Sequence, residues 1–190
     1  DREYEKYFPR AERSILRAQV IREAAYGKES PENARSLCMV AHLYTHMDDE
    51  IFDDEGEEIE GGKNDEAREL YKRALALARK GFAPADPRLA HVYILAHPYV
   101  IDEDGFENEE NLLDSALAIV EKAYSADDLR IVPFLFLIAE TRTEEFEIEL
   151  VEQLYRRALS IMERTYGAED PRILPALYRY AVFQQLALYV

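Results

Sequence analysis

One segment of this chain recurs, and that recurrence restricts the fold more than any other property of the sequence. Leu154-Tyr155-Arg156-Arg157-Ala158-Leu159-Ser160-Ile161 runs on to Tyr166-Gly167-Ala168-Glu169-Asp170-Pro171. A counterpart lies 84 residues earlier in Leu70-Tyr71-Lys72-Arg73-Ala74-Leu75-Ala76-Leu77, with Pro87 under Pro171. Another lies 42 residues earlier in Leu112-Leu113-Asp114-Ser115-Ala116-Leu117-Ala118-Ile119, with Tyr124 under Tyr166. A weaker copy, 140 residues earlier, keeps Ala18, Ile21, Tyr26, Gly27 and Pro31, and 14 extra residues separate it from the second. A fixed period in this range marks stacked units, none of which can bury its apolar face alone.

Within each copy the apolar residues fall at helical spacing. Ala67, Leu70, Tyr71, Ala74, Leu75, Leu77 and Ala78 form one stripe, and Val151, Leu154, Tyr155, Ala158, Leu159, Ile161 and Met162 repeat it. Between the helices of a pair stands a stop and restart. Gly27 or Gly167 can end a helix in the left-handed conformation, and Ser30-Pro31, Asp86-Pro87 and Asp170-Pro171 cap the next helix with proline at its first position. The spacing predicts helices over 8–25, 32–47, 64–80, 88–100, 109–124, 129–141, 144–165 and 172–189, with Pro98 kinking or ending the fourth. Residues 48–63 are expected to be an acidic insertion loop, and 101–108 a second acidic loop. The predicted architecture is all-α: a single right-handed α-solenoid over 1–190, of about four helix-turn-helix repeats and eight helices.

The length, 33% charged content and 48% apolar content are those of a folded array, and the formal charge of −16 argues against nucleic acid and anionic membrane as partners. The longest apolar run, 131–139, is far short of the ~20 residues that span a bilayer. Cys38 is the single cysteine, which suits a reducing, cytoplasmic compartment. The opening Asp1-Arg2-Glu3-Tyr4 lacks both Met and a signal-peptide pattern, and reads as an excised piece or a processed fragment of a longer chain.

The Ala-x3-large-x2-Ala spacing of Ala67, Tyr71 and Ala74, and of Ala11, Ile15 and Ala18, resembles the tetratricopeptide pattern, as does Val151, Tyr155 and Ala158. With a period of 42, Tyr-x-Arg-Ala-Leu and the following Asp-Pro, the chain is similar to the longer, kinesin light chain type of that repeat. The resemblance implies a non-enzymatic protein-binding module whose even-numbered helices line a concave groove for an extended or helical peptide. It places the small helix-contact residue at Ala41, His97, Ala139 and Ala181. The paired asparagines that the family usually carries just before it are replaced by Cys38-Met39, Ile94-Leu95, Phe136-Leu137 and Tyr178-Arg179. An apolar groove suited to an amphipathic helix is the expectation. Its candidate contact residues are Arg35, Cys38, His42 and His46, His91 and Ile94, Phe136 and Glu140, and Tyr178 and Val182.

Other constellations point away from chemistry. His42 and His46 stand four apart, a spacing able to hold a metal, but Leu43 occupies the place where a metalloprotease needs glutamate. They read as groove-facing polar residues, and no metal or cofactor is expected. No nucleophile–base pair or phosphate loop can be built from the spacing, so no enzyme is predicted. Asp102-Glu103-Asp104-Gly105 resembles part of a calcium loop, yet Val100 and Asn111 would fill its first and twelfth places. Residues 46–66, 102–114 and 140–152 hold 24 of the 39 acidic residues, and equivalent turns of a solenoid align. An acidic rim that favours a basic protein partner is predicted, with a solubilising edge as the alternative.

The last helix is apolar nearly all round. Either a following helix covers it, or Phe183, Leu186 and Tyr189 are expected to mediate self-association, most simply as a homodimer about a two-fold axis. A structural or regulatory array of a larger protein, or a sequence engineered on a repeat scaffold, is the alternative to a peptide-binding module.

Overall fold

The computed structural model describes residues 2–45, 64–100, 112–143 and 148–188, and for 2–8, 64, 98–100 and 143 the backbone alone. Among the described residues there are eight α-helices and no strand. They are α1 (Arg2–Tyr26), α2 (Ala34–Thr45), α3 (Asn64–Gly81), α4 (Pro87–Val100), α5 (Leu112–Tyr124), α6 (Val132–Thr143), α7 (Ile148–Tyr166) and α8 (Leu174–Leu186). The all-α helical-repeat architecture read from the period is the one observed. The insertion at 48–63, the second acidic loop, His46 and Tyr189 lie outside the described residues.

Helix boundaries shift where capping competes with the apolar pattern. α1 starts six residues earlier than its stripe suggests and carries Pro9 inside. α2, α6 and α8 are each preceded by a single 3-10 turn: Pro31–Asn33, Leu129–Ile131 and Pro171–Ile173. α4 runs two residues past Pro98 to Val100, as a proline near a helix end removes few intrahelical bonds.

The turns explain this regularity. Gly27, Ser125 and Gly167 all have positive φ, at 84°, 69° and 97°, so Ser125 adopts at some strain the backbone its glycine counterparts adopt freely. From each, the same relay of backbone bonds follows. Gly167 N–H donates to Glu163 O at 2.8 Å, Asp170 N–H to Gly167 O at 3.2 Å, and Ile173 N–H to Asp170 O at 3.1 Å. Asp128 and Asp170 then accept from the backbone N–H two residues on, at 2.8 and 2.9 Å, while Arg130 and Arg172 fold back onto the same carboxylates. That guanidinium contact, aided by the backbone bond, lowers both carboxyls to about 2. Arg130 and Arg172 also lie 4.5 and 4.0 Å over the rings of Tyr124 and Tyr166. The first turn has Ser30 and Glu32 in those places, and Tyr26, with no guanidinium to cover it, is exposed.

The helices pack into two compact units, Asp1–Pro84 with His91–Glu109, and Ala85–Ala90 with Glu110–Val190. In the first, α2 packs on α3 and on α1, and Ala34, Leu37, Val40 and Ala41 of α2 are buried together with Ala67, Tyr71, Ala74 and Ala78 of α3. Gly81 permits a close approach there, since a Cβ on it would stand 2.4 Å from the Pro31 ring. In the second unit, α6 packs on α7 and α7 on α8, burying Leu135, Ile138 and Ala139 with Val151, Leu154, Ala158 and Ile161. No described helix is long and apolar enough to cross a membrane.

Candidate functional site: an apolar cleft on the second unit

The repeat pattern places one residue of each even-numbered helix three before its small contact residue, and these four fare differently. Cys38 and Ile94 are 1% exposed, so they belong to the core of the first unit and present no surface to a partner. Burial pushes the Cys38 thiol up to about 12, which leaves it an inert apolar group. Phe136 is half-buried. Its ring centroid lies 5.9 Å from that of Tyr155, and the Arg179 guanidinium covers it at 5.4 Å. Tyr178 is 69% exposed. The expectation of one apolar groove carried by all four is therefore corrected at Cys38 and Ile94, because small or β-branched groups at this position fill the space between packed helices.

Around Tyr178 the second unit forms a cleft of about 460 Å³. Its floor is Tyr155 and Phe183, its side is Tyr178, Val182 and Leu186 of α8, and Glu140 and Arg179 stand at its mouth. The floor is rigid. Tyr155 stacks on Phe183 at 5.3 Å and on Tyr180 at 6.0 Å, and Tyr180 on Phe183 at 6.4 Å. Tyr180 Oη donates to Glu152 at 2.8 Å and accepts from Arg156 at 3.0 Å, which fixes the ring and holds the Glu152 carboxyl below its usual range. Arg179 donates to Glu140 in an ion pair across the opening. The volume is within the range of roughly 300–1,000 Å³ of small-ligand pockets, and the lining is mostly apolar.

The structure thus brings together Glu140, Tyr178 and Val182, three of the residues expected to contact a partner. Tyr155 and Arg179, which sequence reasoning assigned to packing and to a missing asparagine, join them. Phe183 is corrected from a self-association residue to a core residue: it is 3% exposed and stacked on α7 of its own chain. A helix with no polar face invites the reading of self-association, but the aromatic stack absorbs this member of it. Leu186 remains half-exposed at the cleft edge.

In the first unit the polar candidates separate from the apolar ones. Arg35 and His42 are exposed, and His91 is half-buried. Burial, with the nearby Arg35 charge, lowers the His91 pKa, so the imidazole is neutral near pH 7. Among the described residues no three His, Cys, Asp or Glu side chains gather as metal ligands would. Parts of the predicted acidic rim are committed elsewhere. Asp114 pairs at 2.5 Å with Arg142, which is buried rather than free to oppose the rim, and Glu152 pairs with Arg156.

No known family's sequence pattern matches the chain, and no curated protein sequence matches it. Its fold does have a counterpart among solved structures. The crystal structure of kinesin light chain nearly identical TPR-like repeats from Podosopora anserina superposes with a TM-score of 0.57 over 97% of this chain and 82% of that one, at 17% identity. The shared property is the tetratricopeptide-like repeat fold.

Proposed function

We propose that this chain is a protein-interaction module that takes an apolar side chain of a partner segment into the cleft beside α8. The observation that carries the reading is the cleft itself: a fixed aromatic floor, an exposed apolar wall and an Arg179–Glu140 pair able to orient a backbone or polar flank. Interfaces draw most of their free energy from a few such anchors. The net charge of −16 and the concentration of carboxylates in three turns favour basic residues flanking the anchor, through faster encounter more than through tighter contact. The tetratricopeptide-like fold supports a binding role, although fold by itself assigns none.

Selection from a displayed random-peptide library tests this. The unmodified chain should enrich peptides sharing one large apolar residue with Lys or Arg nearby. Val182→Arg should lose them, and Tyr178→Ala should bind the same peptides about 1–3 kcal/mol more weakly. Equal enrichment on the Val182→Arg variant would sink the proposal.

A further inference from the structure

We infer that copies of this chain associate head to tail, α1 of one copy covering α8 of another as α7 covers α6 within the second unit. The covered face of α6 includes Val132, Leu135 and Ala139, all buried, and α2 buries Ala34, Leu37 and Ala41 in the same repeat positions beneath α3. The counterparts in α8 are Leu174, Leu177 and Ala181. Leu174 is 45% and Leu177 38% exposed, and Ala181 is exposed as well. Tyr178 borders this face, since its counterparts Cys38 and Phe136 are met by the helix that covers α2 or α6, so the same cover would reach one wall of the cleft.

α1 has the matching deficit. α7 buries Val151, Leu154, Ala158 and Ile161. The residues 140 positions earlier are Ala11, Ser14, Ala18 and Ile21, and all four are exposed, Ile21 at 59%. Among the described residues, the stripe of α1 that matches the buried stripe of α7 is exposed, and so is the face of α8 that matches the covered face of α6.

A polar tie accompanies the packing within each unit. Arg73 of α3 reaches the preceding turn, bonding Lys28 O at 3.5 Å and the Glu29 carboxylate at 3.0 Å. Its counterpart Arg157 of α7 bonds Ala126 O at 2.7 Å, and the neighbouring Asp127 pairs with Arg164 at 2.7 Å. In α1 the same repeat position is Arg17, which is exposed. At the turn after α7, the counterparts of Lys28 and Glu29 are Ala168 and Glu169, exposed as well. Arg17 and Glu169 are therefore of opposite charge at the two repeat positions that this tie joins within each unit. Such a contact is heterologous, joining unlike surfaces of two copies, and so differs from a two-fold dimer.

Sedimentation of the 190-residue chain over a concentration series tests this. The unmodified chain should pass through dimers to larger species. Ala18→Glu and Ala181→Glu should each be monomeric. Mixed in equal amounts they should form one heterodimer that grows no further, because each supplies the end the other lacks. Arg17→Glu, an exposed change that cannot unfold the core, should weaken association, and adding Glu169→Arg in the same chain should restore it. A chain that stays monomeric at every concentration overturns the inference. So does a dimer that Ala18→Glu leaves intact, which would place a two-fold contact at α8. Peptide selection repeated on Ala18→Glu, which leaves α8 uncovered, reads the cleft apart from association, so that either proposal can fail without the other.

Discussion

Cys38 and Tyr178 occupy the same position of their repeats and end in opposite environments. Cys38 is closed in between α2 and its neighbours, whereas Tyr178 forms the wall of an open cleft. Both are apolar enough to be buried, so hydrophobicity does not separate them. The face of α2 is packed by α3; the equivalent face of α8 has no described helix upon it. A repeat position therefore specifies a direction on a helix, and the neighbouring element determines whether that direction is core or surface.

The sharpest way to break this comparison is to truncate two aromatic residues of the same helix. Phe183→Ala removes a ring stacked on Tyr155 and should cost about 3–5 kcal/mol in chemical denaturation, whereas Tyr178→Ala should stay within about 0.5 kcal/mol. Similar losses from both would mean that α8 is buried on two sides. Next comes Asp114→Ala, which takes a carboxylate from the buried Arg142 guanidinium and should cost about 1–3 kcal/mol. Adding Arg142→Met should recover part of that loss, since no charge is then left in the interior. If the double variant is less stable than Asp114→Ala alone, the guanidinium is held chiefly by other groups.

The smallest effect separates the two units by their caps. Ser30 caps α2's entry turn in the first unit, and its hydroxyl does not titrate near neutral or acid pH. Asp128 and Asp170 cap the corresponding turns of the second unit, their carboxyls lowered to about 2. An unfolded aspartate titrates near 3.9. The folded value is the lower one, so unfolding takes up protons, and the contribution of these caps is present above about 4 and lost as pH falls toward 2. Hydrogen exchange at the start of α6 and α8 should accelerate in that window, and Asp170→Asn should flatten the change at α8. An equal acceleration at the start of α2 would show that the caps are not its cause.

Much of the architecture was legible in the chain alone. The period of 42, the stripe around Ala74 and Ala158, and the cap-and-proline turns each depend on local geometry, and local geometry follows from spacing and residue type. The helix pairs and the turn relay around Gly27 and Gly167 accordingly stand where the pattern puts them. Sequence also picked out Glu140, Tyr178 and Val182, because position in the repeat fixes which side of α6 or α8 they occupy. Tertiary structure alone decided which of those sides stay open. Ile94 and Phe183 were lost to the core, and Arg179 moved over Phe136 to meet Glu140, because burial depends on neighbours far along the chain. The same physics leaves α1 and α8 with faces that their counterparts bury: a helical stripe is written in one segment, but its cover must come from another.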